Sequence, residues 1–95
     1  SPEGRLIREV DQNGLASIYS YDQKGVLKEV IRNGELTYFM KIEGDKTIIG
    51  RELGPYTFHT ETTFGDVTIS EMKNKKTGTI TKFFKKNGKR IQITN

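Results

Sequence analysis

Residues 4–27 read GRLIREVDQNGLASIYSYDQKGVL, opening on Gly4-Arg5-Leu6 and closing, twenty-one residues on, with Gly25-Val26-Leu27. Inside this stretch two apolar-alternating runs are punctuated by Asn13-Gly14 and Lys24-Gly25. A strand and its turn take about ten residues, so a strand-turn-strand-turn unit repeats at about twenty. The repeat is therefore a β-hairpin. A hairpin cannot bury an apolar face alone and has to stack on neighbours.

The same rhythm runs along the chain. Gly4, Gly14, Gly25, Gly34, Gly44, Gly54, Gly65, Gly78 and Gly88 are spaced nine to thirteen residues apart, with Gly50 off the ladder. Asn13-Gly14, Asn33-Gly34 and Asn87-Gly88 are type I′ hairpin signals, because Asn and Gly best tolerate positive φ at both central positions. Lys24-Gly25, Gly44-Asp45 and Gly65-Asp66 fit the same role less specifically. Between turns the pattern alternates: Leu36, Tyr38, Met40 and Ile42 on one face, and Tyr56, Phe58 and Phe64 on another with Thr60 and Thr62 between. Val67 with Ile69, Ile80 with Phe84, and Ile91 with Ile93 continue it, in strand-favouring residue types. The reading is nine strands over about 5–11, 15–22, 26–32, 35–42, 46–53, 56–63, 67–73, 79–86 and 89–94. One short alternative is a helix over 27–33. The fold class expected is all-β: an antiparallel meander of eight to nine short strands joined by tight Gly turns. It is an open twisted sheet, sandwich-like by folding over, or a small barrel. Ile7, Phe39 and Phe83 put apolar mass on the second face, so parts of both faces should be covered.

The totals bound the function classes. Ninety-five residues, 33% apolar and 29% charged, make one small domain (1–95) with a thin core, or a piece of something larger. There is no Cys, hence no disulfide framework and no thiolate metal site. No run approaches the ~18 apolar residues of a membrane span. Ser1-Pro2 fits the start of a mature or excised segment. The net charge of +4 is uneven. Residues 1–66 carry eight Lys/Arg against eleven Asp/Glu, and residues 67–95 eight against Glu71 alone.

Gly14, Tyr19, Tyr21, Asp22, Gly25 and Leu27, in the order G-x-x-x-x-Y-x-Y-D-x-x-G-x-L, resemble the tyrosine–aspartate (YD) repeat of rearrangement-hotspot (Rhs) proteins and teneurins. The match is best over residues 4–31, and Gly4-Arg5-Leu6 is similar to the ending of a preceding unit. Elsewhere it survives as an aromatic five residues after a glycine: Phe39 after Gly34 and Phe83 after Gly78, but His59 after Gly54. The resemblance implies hairpins wound into a long sheet that forms a shell, around a toxin in bacteria or within an adhesion receptor in animals. Phe83-Phe84-Lys85-Lys86-Asn87-Gly88-Lys89-Arg90 is also similar to MORN-like hairpin repeats, which share the same physics.

Three groups of residues could carry chemistry. Tyr19, Tyr21 and Asp22 form a polar set, but Tyr on a strand supplies cross-strand packing, and Asp22 before Gln-Lys-Gly is placed to bond turn N–H groups. His59 and Glu61, two apart on one strand, point the same way and share a polar face with Thr57 and Thr63. They could be a base and its orienter, or two metal ligands, but lack further ligands and a nucleophile motif. Lys73, Lys75, Lys76, Lys82, Lys85, Lys86, Lys89 and Arg90, with Phe83 and Phe84 interleaved, suit either anion binding or protection of a sheet edge. Lys82, Lys85, Lys86, Lys89 and Arg90 are the anion- or partner-binding candidates. Lys82 and Lys85 fall on opposite strand faces.

The expected function is a non-enzymatic structural or interaction module of YD-like hairpins, a segment of a secreted or surface protein. It needs no cofactor or metal. Its partner is another protein or the rest of its parent chain, with weak binding of anionic polymers and an open oligomeric state. Two alternatives belong to other classes. One is a small β-barrel binding an apolar ligand. The other is the effector end of an Rhs-like toxin, using the region from about residue 50 with His59, Glu61 and the basic tail.

Overall fold

A computed structural model describes residues 4–94, with side chains through Lys89. Its nine strands are β1 (Arg5–Val10), β2 (Ala16–Tyr21), β3 (Leu27–Arg32), β4 (Glu35–Glu43), β5 (Lys46–Glu52), β6 (Thr57–Phe64), β7 (Val67–Asn74), β8 (Ile80–Lys86) and β9 (Lys89–Thr94). They follow one another across one sheet in chain order, as an antiparallel meander that is not closed into a barrel. That removes the barrel on which the apolar-ligand alternative depended. Residues 27–32 are strand, not helix. The chain divides into two compact units, one up to Met40 and one from Lys41.

In the first unit, cross-strand register sets a row on one face: Ile7 opposite Tyr19, Tyr19 opposite Val30, and Val30 opposite Tyr38. Val30, at 6% exposure, is the buried apolar side chain among the described residues. Two bulges interrupt the ladders. Tyr21 pairs with Leu27 while Ser20 pairs with Glu29, leaving Lys28 as the extra residue. Val30 pairs with Tyr38 while Ile31 pairs with Leu36, leaving Thr37 extra, its hydroxyl donating to the Val30 carbonyl at 3.2 Å. The Thr37 bulge corrects the alternation read from the sequence. Leu36 does not share the face of Tyr38, because an inserted residue breaks the period of two. It also separates Tyr19 from Phe39, which pairs with Glu29 on the face opposite Val30.

The second unit keeps strict alternation. On one face Ile48, Thr62, Ile69, Phe84 and Ile91 stand at directly opposed register positions across β5–β9. The other face carries a threonine row, Thr47, Thr63 and Thr68, and a mixed row of Arg51, His59, Met72 and Thr81. Such cross-strand pairs contribute roughly 0.2–1 kcal/mol each. Gly50, off the glycine ladder, lies within β5 opposite Thr60.

Turn chemistry follows the residues at each corner. Asn33 and Gly34 have φ of 51° and 78°, and Asn87 and Gly88 of 51° and 81°, the positive pair that a type I′ turn demands. Asn13-Gly14 differs: only Gly14 has positive φ, and the Gly14 N–H donates to the Asp11 carbonyl at 3.0 Å. This is a type I turn closed by a left-handed glycine, selected by Asp11. At Gly44-Asp45 and Gly65-Asp66 only the glycine has positive φ, the type II′ arrangement. The expected cover over parts of both faces is only partial among the described residues. Ile7 is exposed, Phe39 and Phe83 are half-buried, and no side chain is fully buried.

Candidate functional site

Tyr21, Asp22, Gly25 and Leu27 of the repeat motif meet at the β2–β3 corner of the first unit, while Gly14 stands in the β1–β2 turn and Tyr19 lies midway along β2. Asp22 accepts hydrogen bonds at one carboxylate oxygen from the Lys24 and Val26 N–H groups, both at 2.9 Å. Asp11 does the same for Asn13 at 2.8 Å and Leu15 at 2.9 Å. Asp-x-x-Gly followed by an apolar residue thus forms one corner twice, eleven residues apart, and is the structural repeat nested in the longer one. Gly4 works differently from Gly25. It is buried, has φ of 118°, and a Cβ there would run into the Tyr21 carbonyl oxygen; nothing lies within 4 Å of one at Gly25. Beside Gly4, the Arg5 guanidinium sits 5.9 Å from the Tyr21 ring centroid, an attractive cation–π pair. Gly4, Arg5, Asp22, Gln23, Lys24 and Gly25 line a surface recess of about 340 Å³.

The hydrogen bond from Val26, then that from Lys24 and the Lys28 and Lys24 charges, holds the Asp22 carboxyl below its ordinary range, against the opposing pull of desolvation. The Lys28 ammonium lies 3.8 Å from the carboxylate. A carboxyl depressed in the folded state stabilises fully above its unfolded pKa, and that contribution fades as pH falls through the depressed value. On acidification below the usual aspartate range, the Lys24 and Val26 amide resonances should therefore titrate together. Asp22→Asn should remove that titration. Amide shifts that stay flat through this range would contradict the geometry.

In the second unit, register brings His59 opposite Arg51 on one side and Met72 on the other, with Glu61 opposite Ile49 and Ser70. Two shallow depressions share His59. One, of about 230 Å³, is lined by His59, Thr68, Ser70, Met72, Phe83 and Lys85. The other, of about 210 Å³, is lined by Ile49, Arg51, His59 and Glu61. His59 is half-buried and Glu61 exposed. Among the described residues no group of three His, Cys, Asp or Glu side chains is placed to hold a metal ion. The surroundings of His59 were not legible along one strand. Arg51, Ser70 and Phe83 reach it only through the β5–β8 register.

The basic residues divide. Lys82, Lys86 and Lys89 take one face by register, and Lys85 the other, opposite Thr68. Arg90 pairs with Lys85 in the backbone ladder, and its side chain lies outside the described residues. Lys82 approaches Glu71 at 3.8 Å, and Lys75 binds Glu52 at 2.8 Å. The Lys76 ammonium lies 5.4 Å from the Tyr56 ring centroid, and the Lys75 N–H donates to the Tyr56 carbonyl at 2.7 Å. These contacts tie the loop after β7 to the loop after β5.

No helix among the described residues is long and apolar enough to cross a membrane. The chain matches no family model, no curated protein and no solved structure.

Proposed function

We propose that this chain is a non-enzymatic structural and interaction module built of YD-like β-hairpins, a segment of a secreted or surface protein that acts by pairing and stacking. The observation that carries the reading is a hairpin meander whose described residues bury one apolar side chain, Val30. A sheet with so little cover is stabilised when further hairpins or a partner lie against it. The motif residues support the reading because each has a structural occupation: Gly4 admits the Tyr21 carbonyl, Arg5 meets the Tyr21 ring, and Asp22 organises its corner.

The test is a tandem copy. A second copy of residues 4–24 placed before Gly4 extends the repeat by its own period. A module of stacking hairpins should then unfold in one transition at a higher temperature than the parent chain. An added copy that stays unprotected from amide exchange, with the melting temperature unchanged, would sink the reading.

A second reading, weak anion binding, is favoured by the alignment of Lys82, Lys86 and Lys89 on one face. Log affinity for heparin or single-stranded DNA should fall linearly with log salt. Replacing Lys82, Lys85 and Lys86 together by Glu should abolish binding. Because Glu71 already engages Lys82, binding should vanish by about 0.15 M salt, where charges are screened beyond ~8 Å. Tight binding at that salt would instead make the polyanion surface the primary function.

A further inference from the structure

We infer that β1 pairs antiparallel with β1 of a second copy of this chain, centred on Ile7. This rests on the module reading and names what one of its edges binds. In the strand order β1 has one neighbour, β2, so its other edge is unpaired among the described residues. All six of its residues are exposed, with Leu6 at 66% and Val10 at 55%. Exposed edges are ordinarily guarded by charged side chains, Lys above all, by Pro or by a bulge. RLIREV has neither Lys nor Pro, and its ladder to β2 is regular. Its charges, Arg5, Arg8 and Glu9, are of both signs, so a second copy can pair with them instead of being repelled. By contrast β9, the last strand in the order, begins at Lys89 directly across from Lys86.

Backbone alternation selects the register. The Asp11 N–H donates to the Leu15 carbonyl at 3.0 Å, so Asp11 and, alternating from it, Glu9, Ile7 and Arg5 turn their backbone groups inward. Leu6, Arg8 and Val10 turn theirs outward and can bond a new strand. An antiparallel twofold pairing centred on Ile7 places Leu6 opposite Arg8 of the second copy, as a hydrogen-bonded pair. It places Ile7 opposite Ile7, and Arg5 opposite Glu9 in both directions. Shifting the centre to Arg8 sets two arginines face to face, and shifting it to Leu6 puts Arg5 opposite Ile7 and breaks both Arg5–Glu9 pairs. Like charges directly opposed destabilise a pair and opposite charges stabilise it, which favours the Ile7 centre. The row Ile7, Tyr19, Val30 and Tyr38 then continues through the dyad into its own copy. No ion pair among the described residues engages Glu9, leaving it free for Arg5 of the second copy.

The test is a charge swap read by sedimentation of the whole chain. The parent chain should show a dimer population that rises with concentration. Glu9→Arg alone and Arg5→Glu alone should each weaken dimerisation about tenfold or more, since two attractive pairs become two repulsive ones. An equimolar mixture of the two variants should dimerise again, because each then supplies what the other lacks. A second measurement does not depend on these charges. The chain has no Cys, so Ile7→Cys should form a covalent dimer on oxidation, the non-hydrogen-bonded pair bringing its Cα atoms to about 4.5 Å. Arg8→Cys, offset in this register, should not. A parent chain monomeric up to about 1 mM, a Glu9→Arg variant that dimerises undiminished, a mixture that stays monomeric, or cross-linking at Arg8→Cys and not at Ile7→Cys would each overturn the inference. None of these results bears on the tandem-copy experiment, so the two readings fail separately.

Discussion

Replacing Val30 by aspartate is expected to unfold the strands of the first unit, at a cost of about 3 kcal/mol or more. Register sets Val30 between Tyr19 and Tyr38 on one face, and it is the buried apolar side chain among the described residues. A carboxylate there loses water on both sides and has no cation directly opposite it in the ladder. Val30→Ile keeps the β-branched shape and should cost less than about 1 kcal/mol. Amide exchange over β1–β4 reads the result: protection lost with aspartate and kept with isoleucine. An aspartate variant as well protected as the parent would mean that the Tyr19–Val30–Tyr38 row does not hold these strands together.

Two single-residue deletions should differ sharply. Removing Thr62 from β6 breaks a strand that pairs along its length with both β5 and β7. One residue fewer sends part of β6 to the wrong face, parting Phe58 and Thr60 from Phe64. With cross-strand pairs at roughly 0.2–1 kcal/mol each, the loss is on the order of 3 kcal/mol. Removing Thr37 has the opposite logic. Ile31 already pairs with Leu36 and Val30 with Tyr38, so its deletion closes the bulge and leaves a regular ladder. Only the hydroxyl bond to the Val30 carbonyl goes, a loss of about 1 kcal/mol. Denaturant midpoints of the two deletions should separate clearly. Equal midpoints would show that register is not what organises these strands.

That contrast shows which parts of the fold a sequence can carry. Strand limits were legible to within a residue because glycine and aspartate corners bound them and β-branched and aromatic residues fill them. The turns at Asn33-Gly34 and Asn87-Gly88 were legible because positive φ at two successive positions leaves few residue choices. Asn13-Gly14 was misread because the decisive residue lies two positions earlier, in the Asp11 carboxylate that gathers the Asn13 and Leu15 N–H groups. The bulges at Lys28 and Thr37 left no mark, since a pattern of period two has no symbol for an inserted residue. At the candidate site, the turn role of Asp22 could be read from Asp-Gln-Lys-Gly. The closeness of Gly4 to Tyr21 and of Arg51 to His59 could not, because both pairs are joined only by strand pairing.

Cross-strand pairs and corners stabilise this chain, with little apolar surface withdrawn from water among its described residues. The heat capacity change of unfolding measures that surface directly. A globular chain of 95 residues would give roughly 1.2 kcal/mol/K, at about 12–15 cal/mol/K per residue. Calorimetry at a concentration low enough to keep the chain monomeric should return about half that or less. A value at the full globular level would mean that a covered core exists, and the open hairpin sheet would be the wrong description.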